Sequence, residues 1–468
     1  MNVRPLRIHL TLRPCRTRLP FRFGIATLTE APMLFARVET ETDAGVADGH
    51  AAELLVPKWF AKDPNTTHDA DRADLVGAAR AAFAFARERG SASVFEHWRA
   101  AQAALVDAPC ASGPAPLVRM FGVALVERAL IDAVCRAAGV PFAEALGGDL
   151  LGHSGLGAFE PGLEGWTPAR LEGGRASVRL RHTVGLADAL DASDLDPSDL
   201  DRTDDHPLTL EEDVARYGLT AFKVKVAGDA ERDLARLERI AALLPEGALV
   251  TLDGNEQYED AHALADTLDA LEARGTAQRL VDGLASIEQP LPRARTHAAD
   301  TRDGVARLAE RAPLLIDEAD ARTDDYPRAV ALGYAGVSVK ACKGVSRAVL
   351  NAARIDARGA GLQSAEDLTN LPTLPLLQDL ALVSALGLEH VERNGHHYFR
   401  GAAHLDAAER AHLVAAHADL FDEGALLRVE RGELSLASMR AAGGFGYDGP
   451  VSDVGALAAG AGVEEASS

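Results

Sequence analysis

Charged residues stand at the carboxyl ends of five apolar segments in the second half of the chain, AFKVKV, LVTLDGN, ASIEQPL, PLLIDEAD and GVSVKACK. These residues are Lys223 and Lys225, Asp253, Glu288, Asp317 and Lys340. The segments recur at intervals of about 23 to 35 residues, close to the roughly 30 residues of one β/α unit in an eight-unit barrel. Because strand ends converge on one face of such a barrel, the spacing predicts a ring of three carboxylates faced by ammonium groups.

The three acidic residues predict a site for a divalent cation. Asp253, Glu288 and Asp317 offer hard oxygen ligands with no Cys or His beside them, which is typical of Mg²⁺, with Mn²⁺ as an alternative. A single strand-end acid is more often a loop hydrogen-bonding or capping residue. Three such acids in phase with the β/α repeat favour the metal site.

The lysines predict proton transfer. Lys223 and Lys225 are two residues apart on one strand, so their side chains share a face. A neighbouring divalent ion and a second ammonium group should lower a lysine pKa towards the range of a general base. Lys340 is expected on the opposite side of the ring, so Lys225 and Lys340 would approach one substrate carbon from opposite faces. Lys343 is a candidate for the role of Lys340, or else a loop lysine.

This combination suits the removal of a proton α to a carboxylate. That proton is weakly acidic, so the charge that develops must be stabilised as an enediolate. A divalent ion on the carboxylate and a flanking ammonium group would both supply that stabilisation.

The elements that position these residues alternate between strands and helices. Strands are predicted at 178–186, 221–226, 248–253, 284–288, 313–317, 336–340, 361–367 and 388–391, and clear helices at 229–244 and 345–358. Such alternation predicts a parallel sheet, and the strand count favours a closed α/β barrel over an open sheet. The first half of the chain instead has strands within 1–50 and helices within 70–105 and 116–138, which predicts an α+β domain.

Composition narrows the class of protein. The chain has 468 residues, enough for two domains, and a formal net charge of −22, which argues against nucleic acid or an anionic membrane as a partner. Its four cysteines form no CxxC pair, which favours a reducing, cytoplasmic setting. No apolar run is long enough to span a membrane. The arginine-containing first segment is interpreted as a strand, with a transit peptide as the alternative.

Several segments together resemble the enolase superfamily, and within it the muconate-lactonizing-enzyme-like subgroup of the mandelate racemase/muconate lactonizing enzyme family. The resemblance covers nearly the whole chain and rests on PFRFGIATLTEAPMLFARVETETDAG, LIDAVCRAAGVPFAEALGG, the KxK of 223–225, TLDGN, EQP, the DE of 317–318 and VSVK. It implies a modified TIM barrel, (β/α)7β, with an N-terminal α+β capping domain. The expected organisation is a cap at 1–150, a barrel at 151–424 with an acidic insertion near 187–207, a return to the cap at 425–450 and a disordered tail at 451–468.

The resemblance also implies roles for individual residues. Mg²⁺ would bind Asp253, Glu288 and Asp317, with Lys225 and Lys340 as the acid/base pair and Lys223 supporting the substrate carboxylate. Asn255 and Glu318 would orient ligands or lysines. A cap loop at 21–24 with Phe21 and Arg22, together with 51–54, would close over the substrate.

Further substrate contacts are expected near the ends of the last two strands. The candidates are Ser364, Glu366, Asp367 and Glu389, with loop capping as the alternative for Glu366 and Asp367. His396 and His397 invite a metal site, although adjacent residues of an extended segment point to opposite sides, which favours a structural role. Four features depart from the family pattern: the interval from Asp253 to Glu288 is long, an acidic insertion lies near the first barrel strand, no Asp-x-Asp stands on the last strand, and no His–Asp dyad is evident.

The expected function is a Mg²⁺-dependent isomerase or lyase acting on a small-molecule carboxylate. Racemisation, epimerisation, cycloisomerisation and syn-elimination all remain open, because a fold does not decide among them. The resemblance implies a homo-oligomer. The alternatives are a non-catalytic metal-binding barrel that serves as a scaffold or binding protein, and a metal-dependent aldolase.

Overall fold

The computed structural model describes residues 1–23, 26–110, 113–171, 173–196, 206–449 and 451. Its first part is an antiparallel sheet in the order β3-β2-β1-β4, covered by helices. The strands are β1 Asn2–Phe23, β2 Ala26–Thr42, β3 Gly45–Leu54 and β4 Ala92–Ser93. The helices are α1 Pro57–Phe60, α2 His68–Arg89, α3 Val94–Ala101, α4 Pro116–Ala138, α5 Phe142–Gly147 and α6 Leu156–Phe159.

Helix α4 lies against β3 and is buried along nearly its whole length. It begins at Pro116, where a missing N–H costs nothing, and Gly139 ends it in the left-handed conformation with φ 67°. A Cβ at Gly49 of β3 would lie 1.9 Å from the carbonyl oxygen of Ala129. Glycine at this position therefore lets the helix approach the sheet closely.

Eight parallel strands follow and close into a barrel, because the last strand pairs with the first. They are β5 Ser177–Val184, β6 Ala221–Lys225, β7 Leu249–Asp253, β8 Leu284–Glu288, β9 Leu314–Ile316, β10 Gly336–Val339, β11 Leu362–Ala365 and β12 His390–Arg393. The predicted α/β barrel with an N-terminal cap is thus confirmed.

Helices fill all seven connections between these strands, which gives the (β/α)7β pattern. They are α7 Leu210–Tyr217, α8 Ala230–Leu243, α9 Ala261–Arg274, α10 Gln278–Asp282, α11 Arg302–Ala309, α12 Asp325–Leu332, α13 Val345–Arg358 and α14 Leu374–Ala385. Helix α8 shows why they pack: its buried Leu234, Leu237 and Ile240 form one stripe. The long interval from Asp253 to Glu288 holds two helices, α9 and α10.

The segment after the barrel contains α15 Gly395–Tyr398, α16 Ala407–Ala416 and β13 Glu433–Ser435. Strand β13 pairs antiparallel with β5 and so extends the barrel sheet beside its first strand. Beyond it, the N–H of Phe445 donates to Asp132 Oδ1 on α4, 2.8 Å away. The predicted domain boundaries remain predictions. Residues 197–205 of the acidic insertion and 452–468 of the tail lie outside the described residues.

Buried polar contacts join the cap to the barrel beside the charged strand ends. Glu127 of α4 accepts hydrogen bonds from the N–H groups of Val345 (2.9 Å) and Ser346 (2.7 Å), where α13 begins. Arg128 Nη1 of the same helix donates to Gln378 Oε1 of α14 at 3.4 Å, and its Nη2 donates to Glu53 of β3 at 3.0 Å. None of the helices in the described part of the chain has both the length and the apolarity needed to cross a membrane.

Candidate active site

The carboxyl ends of the barrel strands bring the predicted charged residues together. The register aligns Lys225 with Asp253 and Asp253 with Glu288 on neighbouring strands. Asp317 and Lys340 come directly after β9 and β10. All of these side chains are buried. Parallel strands in near-level register therefore turn residues spread along the chain into one cluster.

Lys223 is the centre of this cluster. Its Nζ lies 2.9 Å from Asp253 Oδ2, 2.7 Å from Glu288 Oε2, 2.6 Å from Glu366 Oε2 and 3.0 Å from Glu392 Oε2. Burial by itself would lower the pKa of Lys223, but the four carboxylates together raise it well above its ordinary value. Lys223 is therefore a positive charge held beneath the cavity by four carboxylates.

Lys225 and Lys340 occupy more open positions. Lys225 Nζ lies 2.5 Å from Asp253 Oδ2, and Lys340 Nζ lies 2.7 Å from Asp317 Oδ2 and 4.5 Å from the ring centre of Trp59. Burial would lower the pKa of Lys340, yet the nearby carboxylates, Asp317 first, raise it above its ordinary value. The indole face also favours the ammonium form.

Lys343 lies in a short 3₁₀ turn just beyond β10 and is buried. Its Nζ donates to the carbonyl oxygen of Asp317 at 2.7 Å and to Ser338 Oγ at 2.6 Å, and lies 3.0 Å from Asp317 Oδ1. These contacts engage its ammonium group and hold Asp317 in place through Oδ1, whereas Lys340 contacts Oδ2.

The three strand-end acids have the donor set for Mg²⁺. Neither oxygen of Glu288 accepts a hydrogen bond, although Lys223 lies close to one of them, and such buried carboxylate oxygens suit a cation. The ligand oxygens of Asp253, Glu288 and Asp317 do not all come within 4.8 Å of one another in the described structure. Lys225 and Lys340 contact Asp253 Oδ2 and Asp317 Oδ2, so a metal ion would compete with these ammonium groups for the same oxygens.

Hydrogen bonds from neighbouring residues hold these acids in place. The N–H of Asn255 donates to Asp253 Oδ1 at 2.9 Å, and its Nδ2 donates to Glu318 Oε1 at 3.1 Å. Gln289, which the sequence offered only as part of EQP, accepts from the N–H groups of Asp317 (2.8 Å) and Ala319 (3.1 Å). Its φ of 37° is the backbone feature that turns its amide towards this neighbouring strand end.

A cavity opens above the cluster. It is lined by Phe21, Val56, Trp59, Lys225, Asn255, Lys340, Asp367, Leu368, Thr369, Glu392 and Asn394. Sequence reasoning named Phe21, Lys225, Asn255, Lys340 and Asp367 but missed the others. The pattern of strand ends could have indicated Glu392, whereas nothing local marks Trp59. Phe21 is held by stacking on Tyr398, with ring centres 4.2 Å apart.

The structure does not bring every predicted residue to this cavity. Arg22 is exposed on β1 and is absent from the lining. Residues 51–54 are buried within β3, and the cap contributes Val56 and Trp59 just after them instead. Glu389 precedes β12 and pairs with Arg175 at 2.8 Å, so it lies at the other end of its strand. Glu392, three residues later, lines the cavity where Glu389 was expected to lie.

Ser364 and Glu366 lie deeper inside the barrel. Ser364 Oγ donates to Glu366 and accepts from Arg181 Nη1 at 3.0 Å. Arg181 also donates to Glu366, and these two side chains are fully buried. This arginine keeps the pKa of Glu366 below its ordinary value against the effect of burial. Ser364 and Glu366 thus contact Lys223 or its partners and do not line the cavity.

His396 and His397 lie on the helical turn α15 and not on an extended segment. Both imidazoles therefore face the same neighbours, His182 of β5 and Asp213 of α7. This group lies outside the barrel, because His182 alternates with the inward-pointing Arg181 and Thr183.

Comparison with known proteins shows which family and which solved structures the chain resembles. Residues 209–426 match the family model described as enolase C-terminal domain-like. Among curated proteins, no sequence matches the chain. Among solved structures, an enolase from Bradyrhizobium in complex with magnesium and mandelic acid superposes with a TM-score of 0.59 at 16% identity, covering 96% of each chain.

Two further solved structures superpose on the chain with similar TM-scores. The muconate lactonizing enzyme from Pseudomonas fluorescens, complexed with muconolactone, gives a TM-score of 0.61 at 16% identity over 95% of this chain and 96% of the other. The L-Ala-D/L-Glu epimerase from Bacillus subtilis gives a TM-score of 0.60 at 18% identity, over 95% of this chain and 98% of the other. At these identities the superpositions show the fold, and the family match covers most of the barrel. Residues 209–426 are thus similar to the enolase C-terminal domain-like family, and the chain as a whole shares its fold with these solved structures.

Proposed function

We propose that this protein is an isomerase or lyase that removes a proton α to the carboxylate of a small substrate. The observation that carries the proposal is that two ammonium groups, Lys225 and Lys340, line one cavity from strands β6 and β10. These strands are four apart in a barrel of eight, so they stand across the barrel from each other. A substrate carbon between them is accessible to one lysine on each face.

The two lysines differ in their surroundings. Lys340 has both the Asp317 carboxylate and the Trp59 ring in contact, and both favour its protonated form. Lys225 has a carboxylate contact through Asp253. We assign Lys340 to donate the proton or to stabilise developing negative charge, and Lys225 to accept the proton, with the roles exchanged for the opposite enantiomer.

Asp253, Glu288 and Asp317 would hold Mg²⁺, or Mn²⁺, which when bound supplies Lewis-acid polarisation of the substrate carboxylate. Lys223 would keep this buried acidic cluster close to neutral and so preserve the shape of the site. Asn255 and Gln289 would fix the carboxylates through the backbone and side-chain hydrogen bonds described above.

The cavity lining indicates the substrate class. Phe21, Val56 and Leu368 give it an apolar side, while Asp367 and Asn394 give it a polar one. We propose a small carboxylate with an apolar substituent and at least one hydrogen-bonding group. The outcome of the reaction is racemisation, epimerisation, cycloisomerisation or syn-elimination.

The cellular setting is also part of the proposal. All four cysteines are free thiols, three of them buried, which supports a reducing, cytoplasmic compartment. We propose a homo-oligomer, which sedimentation equilibrium of the full chain would test.

Proton exchange in D₂O tests the proposed chemistry. The protein with Mg²⁺ would be incubated with N-acylamino acids, dipeptides, sugar acids and muconate-type lactones, and deuterium at the α-carbon would be followed by NMR. We expect exchange with one class, and its loss in Lys225→Ala or Lys340→Ala. Lys58→Ala is the matched control, because that buried lysine pairs with Asp71 in the cap and does not line the cavity. Equal exchange in all four proteins would overturn the assignment.

A further inference from the structure

A second cluster of metal-ligating side chains lies outside the barrel, on the seam where its last strand meets its first. In the described structure, the one group of three or more His, Cys, Asp or Glu residues with ligand atoms all within 4.8 Å of one another is His182, Asp213 and His396. His182 is on β5, Asp213 on α7 and His396 on α15, directly after β12. Three separate elements thus converge on one point.

The geometry of this group is compact. His182 Nδ1 lies 3.0 Å from His396 Nε2, and His182 Nε2 lies 3.8 Å from Asp213 Oδ2. His397 Nδ1 lies 2.7 Å from the same Asp213 oxygen. The Tyr217 ring stands edge-on to His396, with ring centres 5.3 Å apart, and closes one side of the cluster.

Burial makes the arrangement costly without a bound cation. Asp213 is fully buried, and neither of its oxygens accepts a hydrogen bond of normal geometry, even from the nearby His397. His396 Nδ1 is likewise buried without a hydrogen-bonding partner. Buried polar groups of this kind are almost always satisfied, so Asp213 Oδ1, which has no partner although Oδ2 lies close to His397, points to a missing ligand.

We propose that His182, Asp213 and His396 bind a transition-metal ion, with Zn²⁺ as the preferred occupant. Two imidazole nitrogens and one carboxylate oxygen are a donor set for Zn²⁺ and related ions, whereas Mg²⁺ prefers oxygen ligands alone. His397 contacts Asp213 and acts as a positioning residue that orients the carboxylate. This site is chemically distinct from the all-carboxylate cluster inside the barrel.

The place of the site indicates what the ion does. His182 and His396 are 214 residues apart in sequence, and the ion would link the first barrel strand to the turn after the last one. A cross-link that closes so long a loop restricts the unfolded chain strongly. The backbone oxygen of His397 also accepts from Arg18 Nε of the cap at 2.7 Å. Metal binding would thus stabilise barrel closure and the turn on which the cap strand β1 rests.

Zinc binding in the presence of saturating Mg²⁺ tests the proposal. Chelator-treated protein would be given excess Mg²⁺ to occupy the oxygen-only site, dialysed against Zn²⁺ and analysed by elemental mass spectrometry. We expect one Zn²⁺ per chain in the wild type and none in His182→Gln or His396→Gln. His297→Gln is the matched control and should keep the ion, because His297 lies 3.3 Å from a single acid, Asp325, outside this cluster.

Two further measurements keep the outcome clear if one histidine variant folds poorly. Asp213→Asn preserves shape and should also lose the ion, with folding checked by circular dichroism. X-ray absorption at the zinc edge should show the outer-shell scattering of imidazole. Retention of Zn²⁺ in folded His182→Gln and Asp213→Asn, loss of Zn²⁺ in Asp317→Asn alone, or an all-oxygen coordination shell would each overturn the proposal.

Discussion

The strongest electrostatic prediction from the structure concerns Lys223. Its ammonium group touches four buried carboxylates, so Lys223→Met leaves those charges without their shared cation. Removing one partner of a buried ion pair typically costs about 3–5 kcal/mol, because the remaining charge is uncompensated. We expect a loss of this order in the metal-free protein, since Lys225 and Lys340 remain to neutralise part of the cluster.

The size of the chain sets the expected thermal shift. At about 2.1 cal/mol/K of unfolding entropy per residue, 468 residues that unfold together lose about 1 °C in Tm per kcal/mol. Lys223→Met should therefore unfold about 3–5 °C below the wild type in the presence of a chelator. Adding Glu392→Gln, which removes one negative charge at nearly constant size, should recover part of the loss.

Thermal unfolding followed by circular dichroism, with chelator and then with Mg²⁺, is the assay. Mg²⁺ should raise the Tm of Lys223→Met more than that of the wild type, because the ion restores positive charge to the depleted cluster. Lys58→Met, whose lysine pairs with Asp71 at 2.7 Å, should show the wild-type response to Mg²⁺. A Lys223→Met protein with unchanged Tm and an unchanged Mg²⁺ response would refute the electrostatic reasoning.

Three other perturbations have defined outcomes. Trp59→Leu removes the ring that contacts the Lys340 ammonium and favours its protonated form. The exchange rate should therefore fall, and its pH profile should shift to lower pH. Trp98→Leu, in the cap core, should leave the profile unchanged. Burial lowers the pKa of His153 to about 4, so the unfolded chain gains a proton that the folded chain lacks as pH falls from about 6.5. Stability should drop by up to about 3 kcal/mol over that range, and denaturant titrations of His153→Gln should show a shallower loss. Gly49→Ala places a methyl against Ala129 and should lower the Tm, while Gly77→Ala, with open space around its Cβ, should not; equal Tm values would contradict the packing.

The sequence was sufficient to predict the barrel and its charged strand ends. Parallel strands of similar length bring residues at their carboxyl ends to one level, so Asp253, Glu288 and Lys340 could be grouped from spacing alone. The burial of Lys223 beneath the cavity could not be derived in this way, because it depends on Glu366 and Glu392 from distant strands.

Other differences between the prediction and the structure have separate causes. The last strand begins at His390, two residues later than predicted, which moved Glu389 away from the site and put Glu392 into it. Trp59 follows a cap strand and meets Lys340 only through packing of the cap on the barrel. His396 and His397 were expected on an extended segment, but a helical turn places both on one cluster.

The most direct test of the central claim is α-proton exchange measured separately for the two enantiomers of one substrate. If Lys225 and Lys340 face the same carbon from opposite sides, Lys225→Ala should abolish exchange of one enantiomer and Lys340→Ala that of the other. The wild type should exchange both, or exchange one and convert it to product. Loss of both enantiomers in one variant and of neither in the other would contradict the opposed-lysine site.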